Sequence, residues 1–263
     1  MKSFEGKTVL ITGASAGIGK VFAEKLAAQK ANLLLVARRE LNLEKLAADL
    51  RARYGVSVDY FKSDLSRPDA PWHIYEWVRS KDYQVDCLIN NAGFGAFGAF
   101  DTMPMDQIQA MMQVNMTALV SLTRLFLPEI KVRRGGIIQI ASTAAFQPIP
   151  YLGLYAATKS FVKNFSKALW AENRDVRIFC LCPGNTESEF HDTAGIHQKK
   201  VFLRATTEDL VNFGIDQFLN TSRPASIHGF LNSVVAFSNR FAPTRLVLLI
   251  ARKIYEIRTG SSH

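Results

Sequence analysis

Two hydrophobic patterns alternate along this chain. One is short and apolar at nearly every position: Lys7–Thr12 (KTVLIT), Asn32–Ala37 (NLLLVA), Val56–Phe61, Val85–Asn90, Gly136–Ala141 and Val176–Cys182. A strand that is apolar on both sides is one covered on both faces. The other pattern repeats every three to four residues and fills the gaps: Gly17–Gln29, Leu41–Arg53, Pro71–Arg79, Met105–Ile130 with Pro128 near its end, and Leu152–Glu172. That period places apolar side chains on one helical stripe. Strands alternating with helices predict an α/β fold, a doubly wound parallel sheet in three α/β/α layers. Beyond Pro183 the alternation stops. Residues 185–205 are polar and irregular, Thr207–Leu219 reads as a helix with Thr207 as its N-cap, and Gly229–Arg258 is helical in pattern with Pro243 interrupting it. No linker, low-complexity stretch or repeat divides the chain, so residues 1–263 read as a single domain.

Composition narrows the class. Hydrophobic residues are 48% and charged residues 21% of 263, enough for a large core and unlike a disordered chain. The net charge of +9 admits nucleic acid or an anionic membrane surface as a partner. The cations are scattered, however, and no nucleic-acid-binding signature accompanies them. A basic surface around a phosphate-bearing cofactor is the preferred reading, with no nucleic acid partner. The three cysteines, Cys87, Cys180 and Cys182, sit in apolar runs without metal-ligand or disulfide spacing, which predicts buried thiols and a cytoplasmic setting. His191 and His197 lack a partner cluster, so no metal is expected. No signal-like region opens the chain, and no apolar run reaches the roughly 20 residues of a membrane span.

Two clusters carry chemistry. Gly13, Gly17 and Gly19 lie in Thr-Gly-Ala-Ser-Ala-Gly-Ile-Gly, between the first strand and first helix. Glycines there permit a tight turn and close backbone approach to a pyrophosphate, with the helix N-terminus favouring the anion. Far along the chain, Tyr155 and Lys159 stand one helical turn apart. An ammonium beside a phenol stabilises the phenolate, which suits the pair to acid/base work on a carbonyl or alcohol.

The order of these and the intervening motifs resembles the short-chain dehydrogenase/reductase family over roughly residues 6–190. The glycine turn has the family's Gly-x-x-x-Gly-x-Gly form, including Ile18. The Asn-Asn-Ala-Gly motif appears at Asn90-Asn91-Ala92-Gly93, the catalytic asparagine matches Asn115, the serine Ser142, and the Pro-Gly after the sixth strand Pro183-Gly184. Within the family the chain is most similar to a bacterial DltE-like subgroup and, more distantly, to hydroxysteroid dehydrogenases and 3-ketoacyl reductases.

The resemblance implies a Rossmann-like fold, with a substrate loop and C-terminal helical region from about residue 190 onward, and a homodimer or homotetramer. It implies that Tyr155 is the general acid, that Lys159 holds the nicotinamide ribose, that Ser142 polarises the carbonyl oxygen, and that Asn115 holds a proton-relay water. Thr143 is a rival hydroxyl next to Ser142. Asp64 would accept from the adenine amine, and Asn91, Ala92, Gly93, Pro183, Gly184, Thr186 and Ser188 would border the cofactor. Thr186 departs from the family's usual aliphatic residue.

Charge argues for NADP(H). An acid ending the second strand would bind the ribose 2′-hydroxyl of NAD, but Ala37 stands there and Arg38 follows, a guanidinium suited to the 2′-phosphate, with Ser15 adding a hydroxyl. Phe94, Phe146 and Tyr151 lie in segments that border substrate in the family. Their apolar character favours a greasy carbonyl or alcohol. A catalytically silent NADP-binding regulatory or scaffold protein is the competing reading. The complete Asn-Ser-Tyr-Lys set argues against it. The 229–258 region, apolar with interspersed cations, suits packing over the substrate cleft or against a second subunit, which its wide apolar run favours over peripheral contact with an anionic membrane surface.

Overall fold

A computed structural model describes residues 1–184, 205–238 and 243–259. Its strands are β1 (Thr8–Thr12), β2 (Asn32–Ala37), β3 (Val58–Lys62), β4 (Cys87–Asn90), β5 (Gly136–Ile140), β6 (Arg177–Cys182) and β7 (Ala225–Ile227). They form one sheet in the order β3-β2-β1-β4-β5-β6-β7, every neighbouring pair parallel. The order reverses between β1 and β4. At such a point the connections leave in opposite directions and open a crevice beyond the carboxyl ends of the strands.

The helices are α1 (Gly17–Ala28), α2 (Glu40–Tyr54), α3 (Ala70–Ser80), α4 (Met105–Met112), α5 (Leu119–Val132), α6 (Gly153–Glu172), α7 (Thr207–Asn220), α8 (Phe230–Ser238) and α9 (Thr244–Thr259). Alternate residues of each strand supply two cores. Leu33 and Leu35 face Phe22, Leu26 and Phe218, whereas Leu34 and Val36 belong with Leu122, Phe126 and Ile178 on the other face. The continuous apolar runs in the sequence are therefore explained by burial on both sides.

Three features differ from the sequence expectations. The helix expected over Met105–Ile130 widens to a π-helical turn at Gln113–Ala118. β7 was not anticipated, because three residues with a serine at their centre carry no strand pattern; it exists by pairing with β6. The N-cap of α7 is Thr206 rather than Thr207, its Oγ1 accepting from the Asp209 amide at 3.0 Å. The segment Met105–Val132 is also long and apolar enough to cross a membrane by length and composition. Its Leu122, Phe126 and Ile130 are nevertheless fully buried against the sheet, which accounts for its hydropathy.

At the amino ends of the central strands, opposite the crevice, the buried Asp86 ties three elements together. It accepts from the Thr8 amide at 2.9 Å, from Arg133 Nε at 2.9 Å and from Lys7 Nζ at 3.4 Å.

Candidate active site

The turn after β1 is built by backbone conformations that side chains disfavour. Gly13 and Gly17 have φ of 67° and 52°. Space is equally restrictive: a Cβ on Gly13 would stand 2.8 Å from Asn91 Nδ2, and one on Gly19 would fall on the Gly13 carbonyl. Asn91 holds this turn from β4, its Nδ2 donating to the carbonyls of Thr12 at 2.9 Å and Gly13 at 3.2 Å. Thr12 Oγ1 in turn accepts from the amides of Asn91 and Ala92 at 3.0 and 3.1 Å. The α1 N-terminus makes no side-chain cap hydrogen bond, which leaves its first amides available to an anion.

A cavity of about 770 Å³ runs from this turn across the carboxyl ends of the strands. Gly13, Ser15, Gly17, Ile18, Arg38, Asp64, Asn91, Ala92 and Gly93 line one end, and Phe94, Ser142, Tyr155, Lys159, Pro183 and Gly184 line the rest. Gly19, Asn115, Phe146 and Tyr151 lie outside its wall. Thr186 and Ser188, and with them His191 and His197, fall outside the described residues.

At the end of β2 both arginines border the cavity, and Arg39 Nε donates to Ser15 Oγ at 3.3 Å. The sequence reading chose Arg38; the geometry adds Arg39 as the residue linked to the glycine turn. Asp64 Oδ1 accepts from the Ser66 amide at 3.0 Å, which fixes the carboxylate at the cavity rim.

At the other end, α6 brings Tyr155 and Lys159 to one face, and both are buried. Lys159 Nζ lies 5.8 Å from the centre of the Tyr155 ring and donates to the Ile140 carbonyl at 2.9 Å. Burial pushes the Lys159 ammonium down to about 8 from its usual value. Ser142 Oγ accepts from the Ala144 amide at 3.1 Å, capping a short 3₁₀ turn at Thr143–Phe146. Because that bond uses a lone pair, the Ser142 proton remains available to a substrate oxygen. Thr143 lines the same wall, and its amide is tied to the Pro183 carbonyl at 2.8 Å.

Asn115 sits in the π turn and clasps the loop after β4. Its Oδ1 accepts from the Phe94 amide at 3.0 Å, and its Nδ2 donates to the Phe94 carbonyl at 2.9 Å and to Thr158 Oγ1 at 3.0 Å. Thr158 Oγ1 donates to the Tyr155 carbonyl at 2.8 Å, so one asparagine joins the loop, α6 and the long helix. The wider π turn is a common way of turning a functional side chain inward.

Phe94, Ile149, Leu152, Val235 and Ala236 make the apolar part of the wall. Phe146 instead packs behind it, with Lys163 Nζ 4.2 Å from its ring centre and Phe237 edge-on at 6.2 Å. Tyr151 takes a left-handed backbone (φ 63°), accepts from the Gly98 amide at 3.0 Å and lies 5.8 Å from Phe97. The 229–258 region is a sequence candidate for covering the cleft, but its pattern does not single out Asn232, Val235 and Ala236 as the residues of α8 that reach the cavity. Among the described residues no group of side chains has metal-ligand geometry.

The glycine cradle, the exposed helix N-terminus and the long groove fit a dinucleotide. Comparison with known proteins agrees. The short chain dehydrogenase family model matches residues 7–199, and the chain belongs to this family. An NADP-dependent 3-hydroxy acid dehydrogenase of Schizosaccharomyces pombe is 35% identical over 72% of this chain and 75% of its own. The 17-beta-hydroxysteroid dehydrogenase type 3 of Mus musculus is also 35% identical, over 66% of this chain, which spans only 57% of that longer protein. A solved short-chain dehydrogenase from Sphingobium yanoikuyae in complex with NADPH is 32% identical with a TM-score of 0.80, over 89% of this chain and 93% of the other. A 3-ketoacyl-(acyl-carrier-protein) reductase from Brucella melitensis, 26% identical with a TM-score of 0.75 over 86% and 98% of the two chains, is complexed with NADH. The chain is thus an oxidoreductase of the short-chain family.

Proposed function

We propose that the protein is an NADP(H)-dependent oxidoreductase acting on the carbonyl or alcohol of an apolar substrate, with Tyr155 as general acid and base. The observation that carries this reading is the convergence of Tyr155, Lys159 and Ser142 on one cavity whose far end is the glycine cradle and whose near wall is apolar. Arg38 and Arg39 at the end of β2, with Ala37 in place of an acid, support the phosphorylated cofactor.

A bound nicotinamide supplies or accepts the hydride. Ser142 donates a hydrogen bond from its hydroxyl to the carbonyl oxygen and fixes its direction. Tyr155 delivers the proton that this oxygen takes up, and recovers it when an alcohol is oxidised. Lys159 stabilises the phenolate left behind, and the Ile140 carbonyl keeps its ammonium in place. Asn115 holds the Phe94 loop against α6, which keeps the wall and the Tyr155 helix in register. Ile149 and Leu152 exclude water from the reacting carbon and select an apolar substituent. Free, buried Cys87, Cys180 and Cys182 support a reducing, cytoplasmic setting.

The test is NADPH oxidation against a panel of apolar aldehydes, ketones and 3-ketoacyl thioesters. Turnover that disappears in Tyr155→Phe while NADPH binding persists is the expected result. Retention of parental rates by that variant removes Tyr155 from the acid role.

A further inference from the structure

Helices α8 and α9 carry a concentration of exposed apolar residues that the reaction does not use. On α8, Phe230 is 82% exposed and Leu231 56%, with Val234 and Phe237 both at 48%. On α9, Leu249 and Ile250 are more than half exposed. α8 is anchored beneath by β7 and by the Phe146–Phe237 ring contact, whereas α9 makes no extended contact with another described element. Charge is one-sided here. From Gly229 to Thr259 the sequence has Arg240, Arg245, Arg252, Lys253 and Arg258 against the single carboxylate Glu256. Arg245, Arg252 and Lys253 are exposed on α9 itself.

We propose that α8 and α9 form a docking face for an anionic lipid surface, seated beside the mouth of the cavity. Large apolar side chains next to helical cations are the composition of a helix lying in a membrane interface, where the apolar groups enter the acyl boundary and the cations meet headgroups. A second copy of this chain fits the face less well. A two-fold interface sets the same patch against itself, and this patch would bring cations to cations with one carboxylate per chain to offset them. Position adds meaning: Ala236 of α8 is buried against the cavity, while Phe230 and Leu231 of the same helix are exposed, with Val235 half-exposed at the cavity's border. Docked this way, the cavity opens where apolar molecules are dissolved in lipid. The docking itself does not depend on the catalytic reading, and its test needs no substrate.

The experiment is flotation of the full chain with two kinds of vesicle, phosphatidylcholine alone and phosphatidylcholine mixed with phosphatidylglycerol. Binding to the anionic vesicles that weakens with added salt is expected, with little binding to the neutral ones. Two variants separate the contributions. Phe230→Ser with Leu231→Ser removes the apolar anchor and abolishes binding. Arg245→Glu with Lys253→Glu lowers it by at least about ten-fold, since each cation near such a surface contributes roughly a factor of five. Unchanged melting temperature and NADPH affinity verify that both variants are folded. Equal binding to both vesicles, or none to either, overturns the proposal. So does a dimer, seen by light scattering, that the serine pair splits while the parent ignores vesicles; the face then belongs to a second copy.

Discussion

Lys159 and Arg39 show how much a single side chain's surroundings add to its identity. Burial holds the Lys159 ammonium at about 8 rather than its usual 10.5. Below that value the group is charged in both folded and unfolded chains. Between about 8 and 10.5 the unfolded chain binds the proton more tightly, so this group's contribution to stability rises with pH across that window. On the proposed mechanism activity runs the opposite way: carbonyl reduction is expected to fall above about pH 8, as the charge beside Tyr155 is lost. Lys159→Arg, whose guanidinium stays charged, moves that limb to higher pH, and a pH–rate profile of the two proteins checks it. Arg39→Ala is expected to weaken NADPH binding by about 1.5–3 kcal/mol and to leave NADH affinity unchanged, as titration calorimetry would measure. Arg38→Ala in the same titration shows how the two guanidiniums share the phosphate. The spacing of Tyr155 and Lys159 was legible because one helical turn fixes it. The Arg38 and Arg39 side chains were not, since their directions depend on how the chain leaves β2.

The elements were legible wherever burial imposed a period. Six strands and the helices between them follow from apolar runs and 3.6-residue stripes. β7 was invisible because pairing to β6, not its own residues, makes it a strand. The π turn was hidden for a related reason: its cause lies in Phe94 and Thr158, about 21 and 43 residues from Asn115 in sequence. Asn115→Ala strips partners from the part-buried Phe94 amide and carbonyl and from the buried Thr158 hydroxyl. It is expected to lower stability by about 2–4 kcal/mol in urea unfolding and to reduce kcat more than it raises the KM for NADPH. Asn115→Asp keeps one acceptor and restores part of the stability but not the bond to the Phe94 carbonyl.

Across the whole molecule, the crevice and the Asp86 anchor lie at opposite ends of the central strands, the crevice beyond their carboxyl ends and Asp86 at their amino ends. Asp86 binds the start of β1, the residue before it and the end of α5, so it holds the frame without touching the chemistry. Asp86→Ala leaves the Thr8 amide and the Arg133 guanidinium without this partner. The expected loss is about 3 kcal/mol of unfolding free energy, measured by urea denaturation, with KM for substrate unchanged in the folded fraction.

The cavity's two walls are made differently. The wall of Gly93, Phe94, Ser142 and Tyr155 is fastened through Asn115, which bonds the Phe94 backbone and Thr158 of α6, and through Lys159, which bonds Ile140 of β5; a Cβ on Gly93 would stand 3.0 Å from Asn115 Oδ1. The facing wall is α8, seated by an aromatic contact and by Asn232 over Gly184. One wall is thus a fixed jaw and the other an adjustable one. Substrate size can drift through changes such as Val235→Ala, which admits a bulkier ketone, while the reacting geometry opposite stays where the sheet has set it.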